Sequence, residues 1–341
     1  MKEKIKSIDY IKAFACLLVV IGHLLQSFQK SNIDPYTDIT SFIIWFIYLF
    51  HMPLFMCMSG YLYLKNTEIK DFKDYKRFIF KKSINLLTPY LVFYFLYLAI
   101  NYFFAASVNS PKGINELKGM INNPMSPYWF LYALLSIFLF IPILEKKINS
   151  KKILFSLLVI LKFISFGFRT NIYILDAFMK NAVYFYFAIF LNENNTLNYY
   201  KKILLIVMYV ICTIFFYILK EEFNDVLNSL IVFLFAIGGI YIIYHIFEKI
   251  KKSIILDSFI RYTFQIYLMH TIFAAGIRIF LFRIGITDYY IHLILGVVFS
   301  IYVPVIVSKI SAKLIFTDIV FYPLKTIKKI KELRYENFIS K

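Results

Sequence analysis

The sequence predicts an all-α membrane protein: a polytopic bundle of about ten transmembrane helices with both termini in the cytoplasm. Three observations lead to this prediction. The chain has 341 residues, of which 60% are hydrophobic, and its mean hydropathy of +0.69 is far above that of a soluble domain. Apolar runs long enough to cross a bilayer recur from end to end. The basic residues between those runs alternate in number from one loop to the next.

The first apolar run is interpreted as a retained helix. Three lysines precede it, as in a signal peptide, but no small-residue cleavage site follows, and Gln26, Gln29 and Lys30 come instead. The predicted spans are 8–28, 40–64, 84–105, 127–145, 152–168, 177–192, 201–219, 226–247, 257–282 and 289–315.

The charges test this topology. With the N-terminus inside, 28 of the 38 lysines and arginines fall in cytoplasmic segments and seven fall outside. The net charge of +18 is therefore expected to face the cytoplasm and its anionic headgroups rather than a nucleic acid. Residues 1–318 are predicted to form one membrane domain, and residues 319–341 a basic tail that forms an amphipathic surface helix. The three cysteines, all in apolar segments, favour neither a disulfide framework nor a metal site.

Four polar residues form a stripe along the predicted first helix. Each residue of an α-helix advances about 100°, so Lys12 and His23, eleven residues apart, lie on nearly the same face. Asp9 precedes Lys12 by three residues and Gln26 follows His23 by three, which places them on that face too. We call Asp9, Lys12, His23 and Gln26 the polar stripe; the opposite face is apolar.

Each part of the polar stripe has two interpretations. Asp9 and Lys12 form either an interfacial pair, with Lys12 reaching the cytoplasmic surface, or part of a functional site. His23 lies about 16 Å farther along the helix, well inside the membrane. It is either an interhelical hydrogen-bonding residue or a general base, since an apolar environment favours the neutral imidazole that a base requires.

Polar residues in later spans are further candidates. In the segment FHMPLFMCMSGYLY (50–63), Pro53 predicts a local distortion, and Ser59–Gly60 predicts close packing or approach of a backbone. His51 precedes them. His270, in FQIYLMHTIF (264–273), is interpreted first as a packing histidine.

A basic segment precedes the third span. DYKRFIFKKSINLLTPYL (74–91) is predicted to be a cytoplasmic loop that runs into a helix. Its cations either anchor the loop by the positive-inside rule or bind phosphates. Trp129 opens the fourth span near the predicted outer interface, where aromatic side chains are enriched.

Together these segments resemble the membrane acyltransferase-3 family, whose members O-acylate cell-surface glycans. That family opens with a D-x-x-R stretch and a histidine eleven residues later; IDYIKAFACLLVVIGH supplies Asp9, Lys12 and His23. HMPLFMCMSGYL, KKSINLLTPYL, WFLYALL and IYLMH resemble its later signatures, in the same order. This chain departs from the family in two places: Lys12 replaces an arginine, and Lys82 and Asn85 stand where paired arginines are common.

The resemblance implies a membrane O-acyltransferase in the cell (inner) membrane that modifies a capsule or exopolysaccharide. The donor would be acetyl-CoA or succinyl-CoA, and the acceptor a hydroxyl of a cell-surface or lipid-linked glycan. His23 would be the general base, helped by Asp9 and Lys12, without a metal. The residues implied to contact the donor are Lys12, Arg77, Lys81 and Lys82. The expected partners are acyl-CoA, the glycan and the lipid bilayer, but no nucleic acid; a homo-oligomer or a glycan-biosynthesis complex stays open.

Other functions are also compatible with the residues. A transporter or flippase for a lipid-linked or acylated glycan precursor would place His23 and Lys12 along a transport path. A glycan polymerase would have long polar outer loops, whereas the longest here is about 106–126. No G-x-S-x-G stretch is present, so an acyl-serine intermediate is not favoured and Ser59 is only a minor candidate.

Overall fold

A computed structural model describes residues 2–105, 114–191, 198–248, 250 and 252–339. These residues form thirteen α-helices joined by short turns and 3₁₀ segments, and they contain no strand. The all-α prediction is therefore confirmed. The helices are α1 Lys2–Lys30, α2 Thr37–Asn66, α3 Phe72–Phe103, α4 Trp129–Lys147, α5 Lys151–Gly167, α6 Tyr173–Tyr186, α7 Tyr199–Leu219, α8 Asp225–Phe247, α9 Ile254–Phe259, α10 Thr263–Arg283, α11 Tyr289–Ser311, α12 Ile315–Phe321 and α13 Pro323–Ile339.

Helices occupy all ten predicted spans, and among the described residues eight candidates are long and apolar enough to cross a bilayer. The chain is therefore a multi-pass membrane protein. Two of the ten predicted spans lack such a helix: α5 has 17 residues and α6 has 14. They are the spans that the sequence predicted to be shortest. The count of ten and the cytoplasmic position of both termini stay predictions.

The third helix begins far earlier than predicted. It starts at Phe72 rather than near residue 84, so the basic segment 74–91 is helical and the prediction of a loop there was wrong. Asp71 caps the helix by accepting a hydrogen bond from the backbone N–H of Asp74 at 2.7 Å. Hydropathy detects only the lipid-facing part of a helix, whereas lysine, arginine and phenylalanine all continue the helical backbone beyond it.

The end of the chain also differs from the predicted spans. The run 257–282 is interrupted by a 3₁₀ turn at Ile260–Tyr262, between α9 and α10. The last span ends at Ser311 rather than 315, and α12 follows. Hydropathy does not register such changes in backbone hydrogen bonding. The tail is helical as predicted: α13 exposes Lys325, Lys328 and Lys329 and buries Thr326. Residues 340–341 of the predicted tail lie outside the described residues.

The described residues divide into two compact units. The first comprises Met1–Glu68 and Phe140–Thr263. In it α1 packs on α2 and α8, and α2 also packs on α6. A side chain at Gly60 would place its Cβ 1.8 Å from the carbonyl oxygen of Phe185, so α2 and α6 meet backbone to backbone. The close approach predicted at Ser59–Gly60 is confirmed.

The second unit comprises Ile69–Leu139 and Phe264–Lys341. Its connecting segment before α4 is tied to α3: Tyr90 donates to the carbonyl of Met120 at 2.5 Å, and Tyr94 donates to that of Glu116 at 2.7 Å. Residues 106–113 of the predicted outer loop lie outside the described residues. After this segment, Tyr128 donates to the carbonyl of Leu268 in α10 at 3.1 Å.

Candidate active site

The predicted site residues fall in both units. The first unit holds Asp9, Lys12, His23, His51 and Ser59, and the second holds Arg77, Lys81, Lys82, Trp129 and His270.

The polar stripe lies on one side of α1, as its spacing predicts. Its four members are all half-buried. Burial does not divide α1 into two faces, because Val19, on the same face as His23, is 1% exposed, whereas Ile21 on the opposite side is half-buried. Asp9 and Lys12 attract each other electrostatically. The ionisable groups of α1 therefore lie among buried apolar neighbours while part of their own surface stays accessible.

The end of α1 that is predicted to face the cytoplasm forms a hydrogen bond with a neighbouring helix. Tyr10, which is fully buried, donates to Oδ1 of Asp257 at 2.6 Å. Nearby, the Lys6 ammonium lies 5.4 Å from the centroid of the Tyr10 ring. The hydrogen bond between Tyr10 and Asp257 ties this end of α1 to α9, one residue from Asp9.

His23 and Gln26 share a partner on α2. The hydroxyl of Tyr48 lies 3.5 Å from Nδ1 of His23 and donates a hydrogen bond to Oε1 of Gln26 at 3.0 Å. The Tyr48 and His23 rings meet edge to face, with centroids 6.1 Å apart. Gly22 makes this approach possible, since a Cβ there would lie 2.9 Å from Cε2 of Tyr48. A histidine, a phenol and an amide thus form one connected group inside the membrane region.

His51 supports this group from α2. It is 3% exposed, and its Nδ1 lies 2.8 Å from the carbonyl oxygen of Ile47, to which it donates. Its ring contacts the Tyr48 ring edge to face at 4.7 Å. Ser59 is half-buried on the same helix, but it is eleven residues beyond Tyr48, or about 16 Å along the helix axis. The structure therefore separates Ser59 from the His23 group.

In the second unit, the three basic candidates of α3 differ in environment. Arg77 and Lys81 are exposed, whereas Lys82 is half-buried. The Lys82 ammonium lies 4.3 Å from the centroid of Phe138 and 5.4 Å from that of Phe78, a cation–π arrangement. Arg77 and Lys81 thus present their charges to solvent, and Lys82 also packs α3 against α4.

Two further candidates of the second unit pack within it. His270 is 1% exposed, and its Nδ1 lies 2.8 Å from the carbonyl oxygen of Tyr267. Trp129 begins α4, is half-buried and contacts Phe130 edge to face. In the described ranges, no three His, Cys, Asp or Glu side chains are grouped as metal ligands.

The sequence matches the acyltransferase-3 family, described as an acyltransferase domain, over residues 5–309. This match covers most of the chain, including all the predicted site residues in both units. The chain belongs to the acyltransferase-3 family.

Two curated proteins are similar to part of this acyltransferase-3 chain. The nodulation protein NolL of Sinorhizobium fredii is 32% identical over 140 residues, which are 38% of this chain and 34% of that protein. The nodulation protein NolL of Mesorhizobium japonicum is 30% identical over 139 residues, which are 40% of this chain and 35% of that protein. The match thus spans about a third of each relative. No solved structure matches the chain significantly.

Sequence reasoning missed two members of the site in this acyltransferase-3 chain. Tyr48 is one of 28 tyrosines, and only the contact between α1 and α2 separates it from the others. Gly22, directly before His23, carried a usable signal: a glycine inside an apolar helix often marks a close approach of another element.

Proposed function

We propose that this acyltransferase-3 protein transfers an acyl group from acyl-CoA to a hydroxyl of a cell-surface or lipid-linked polysaccharide in the cell (inner) membrane. Acetyl is the proposed group, and succinyl the alternative. The observation that carries the proposal is the His23–Tyr48–Gln26 group within α1 and α2, on the same helix as a cation nearer the predicted cytoplasmic end.

The tautomer of His23 follows from its neighbours. Since the Tyr48 proton is directed to Gln26, the Tyr48 oxygen accepts from Nδ1–H of His23, and Nε2 is then the basic nitrogen. The separation of 3.5 Å is long for a hydrogen bond; such contacts tighten when substrates bind.

The chemistry is direct transfer in one active site. Nε2 of His23 takes the proton of the sugar hydroxyl while its oxygen attacks the thioester carbonyl carbon. The tetrahedral intermediate collapses, the C–S bond breaks, and the leaving thiolate takes the proton from the imidazolium. The product ester and free CoA leave the base in its original state.

The donor is proposed to approach from the predicted cytoplasmic side. CoA carries several phosphate charges, and Arg77 and Lys81 are exposed cations on α3. Lys12, half-buried on α1, is also proposed to contact the donor, with Asp9 holding its ammonium in place.

Replacement of His23 by alanine tests the proposal. We expect the ester content of the surface polysaccharide, measured by mass spectrometry, to fall at least about a hundredfold while polysaccharide export continues. The control is His292→Gln, which replaces a buried histidine of the second unit that contacts the carbonyl of Ile286. Lost export with normal acylation of the remaining glycan would instead identify a transporter or flippase.

A further inference from the structure

A second group of charges lies in the first unit and is not used in the proposed chemistry. Lys162 is on α5, Arg169 is in the turn that follows, and Asp176 and Lys180 are on α6. The two helices pack against each other. We call Lys162, Arg169 and Lys180 the hairpin cations; they lie on or near the turn that is predicted to face outward.

Lys162 is held by rings rather than by a carboxylate. Its ammonium lies 5.1 Å from the centroid of Tyr184 and 5.3 Å from that of Phe166. It forms no salt bridge with any residue in the described part of the chain. The positive charge of Lys180 repels the ammonium of Lys162. A half-buried cation facing another cation is costly unless an anion completes the arrangement.

Asp176 does not supply the missing anion. Its Oδ1 accepts hydrogen bonds from the backbone N–H and the hydroxyl of Thr170, each at 2.8 Å, and so closes the turn between the helices. Its charge also attracts Arg169 and Lys180. Against three cations, this one carboxylate leaves two positive charges uncompensated. A phosphate monoester carries about −1.5 to −2 at neutral pH and matches that excess better than a single carboxylate.

We propose that the hairpin cations bind a phosphate group on the acceptor, an inference that rests on the proposed function. Gly60 of α2 meets Phe185 of α6, and from this contact Lys180 lies five residues and Tyr48 twelve residues toward the start of its helix. Both helices are predicted to run inward from the outer side, so Lys180 lies about 10 Å deeper than Tyr48. Helix α6 packs on α2, which carries Tyr48. A glycan held by its phosphate at α6 would therefore present to His23 a hydroxyl about 10 Å from that phosphate.

Binding is tested with inorganic pyrophosphate on the purified protein in dodecyl maltoside, a detergent that contains no phosphate. We expect pyrophosphate to raise the unfolding temperature, and Lys162→Met and Lys180→Met each to weaken its affinity roughly tenfold. Lys162→Arg, which retains the positive charge, should keep the affinity for pyrophosphate. This result would show that the site tolerates a substitution that preserves the charge. The control is Lys220→Met, another lysine near a predicted outer helix end, which pairs with Glu221 at 3.8 Å. Equal affinity in all variants, or no effect on the natural protein, would overturn the proposal.

A second arm separates the acceptor from a phospholipid headgroup as the source of the phosphate. In cells, Lys162→Met and Lys180→Met should lower the ester content of the glycan, while stabilisation of the protein by phosphatidylglycerol nanodiscs stays unchanged. Loss of that stabilisation with normal acylation would assign the site to a lipid and overturn the acceptor role. His23→Ala should still bind pyrophosphate, so failure of the proposed function is recognised separately.

Discussion

The hydroxyl of Tyr48 contacts Nδ1 of His23 from the neighbouring helix, at 3.5 Å. Because the same hydroxyl donates to Gln26, Tyr48 connects His23 and Gln26, the two members of the polar stripe that are farther from the N-terminus. Residues that orient a catalytic or ligating histidine commonly affect activity by one to two orders of magnitude. In the proposed reaction, Tyr48 is a positioning residue, since it acts through His23.

Tyr48→Phe keeps the ring and removes the hydroxyl. We expect kcat for acyl transfer to fall roughly 10- to 100-fold, with the KM of the donor unchanged, since only the orientation and tautomer of His23 are affected. The pH profile of kcat should also shift. The control is Tyr209→Phe, which removes a tyrosine hydroxyl bonded to the carbonyl of Phe235 at 3.0 Å in the same unit. An unchanged kcat in Tyr48→Phe, or an equal loss in the control, would contradict the role.

Gly22→Ala should reduce activity through the same contact. The added Cβ would lie 2.9 Å from Cε2 of Tyr48, so the ring must move away from α1. We expect a loss of kcat of about tenfold with a small change in unfolding temperature, because the far edge of a side chain can shift more easily than a backbone. Gly276→Ala is the matched control, since an added Cβ there meets no atom within 4 Å. If Gly22→Ala is as active as Gly276→Ala, the position of the Tyr48 ring does not affect catalysis.

Gly60→Ala should act on stability instead. Its Cβ would lie 1.8 Å from a backbone oxygen, so α2 and α6 must separate. We expect a loss of about 3 kcal/mol in the free energy of unfolding, at the upper end of the usual cost of overpacking. Thermal unfolding of the detergent-purified protein measures the change, again against Gly276→Ala. If Gly60→Ala unfolds at the temperature of the natural protein, the two backbones are not in contact.

The basic residues of α3 should separate into two classes. Arg77→Gln and Lys81→Gln remove exposed charges and should raise the KM for acyl-CoA several-fold at low salt, with the difference shrinking as salt is added. Lys82→Met removes the cation between Phe78 and Phe138 and should also cost about 1 kcal/mol of stability. Donor kinetics and unfolding curves measure the two effects. A donor KM independent of Arg77 and Lys81 would place the phosphates elsewhere.

The sequence predicted what depends on a single helix. The apolar runs located the helices, and because α1 is uninterrupted the eleven-residue spacing places Lys12 and His23 on one side of it. The Ser59–Gly60 pair predicted a close approach because glycine has no side chain, so any neighbouring helix can come near its backbone. These features are local, so no knowledge of the packing partner was required.

What escaped prediction depends on contacts between helices or on backbone hydrogen bonding. Tyr48 lies 25 positions from His23 along the chain, and periodicity does not say which tyrosine of α2 will face α1. The early start of α3 at Phe72 and the turn at Ile260–Tyr262 were missed because hydropathy measures the affinity of side chains for lipid, not the continuity of a helix.

The position of Lys12 and His23 on one uninterrupted helix has a consequence for the choice of donor. A helix does not stretch, so the interval of about 16 Å between the two residues is constant. In the proposed reaction, a donor that contacts Lys12 can place its reactive carbonyl at His23 only if a flexible arm of matching length lies between the two points of contact. Free acetyl phosphate and other short activated esters would reach one residue but not both, so the proposed reaction requires a long donor.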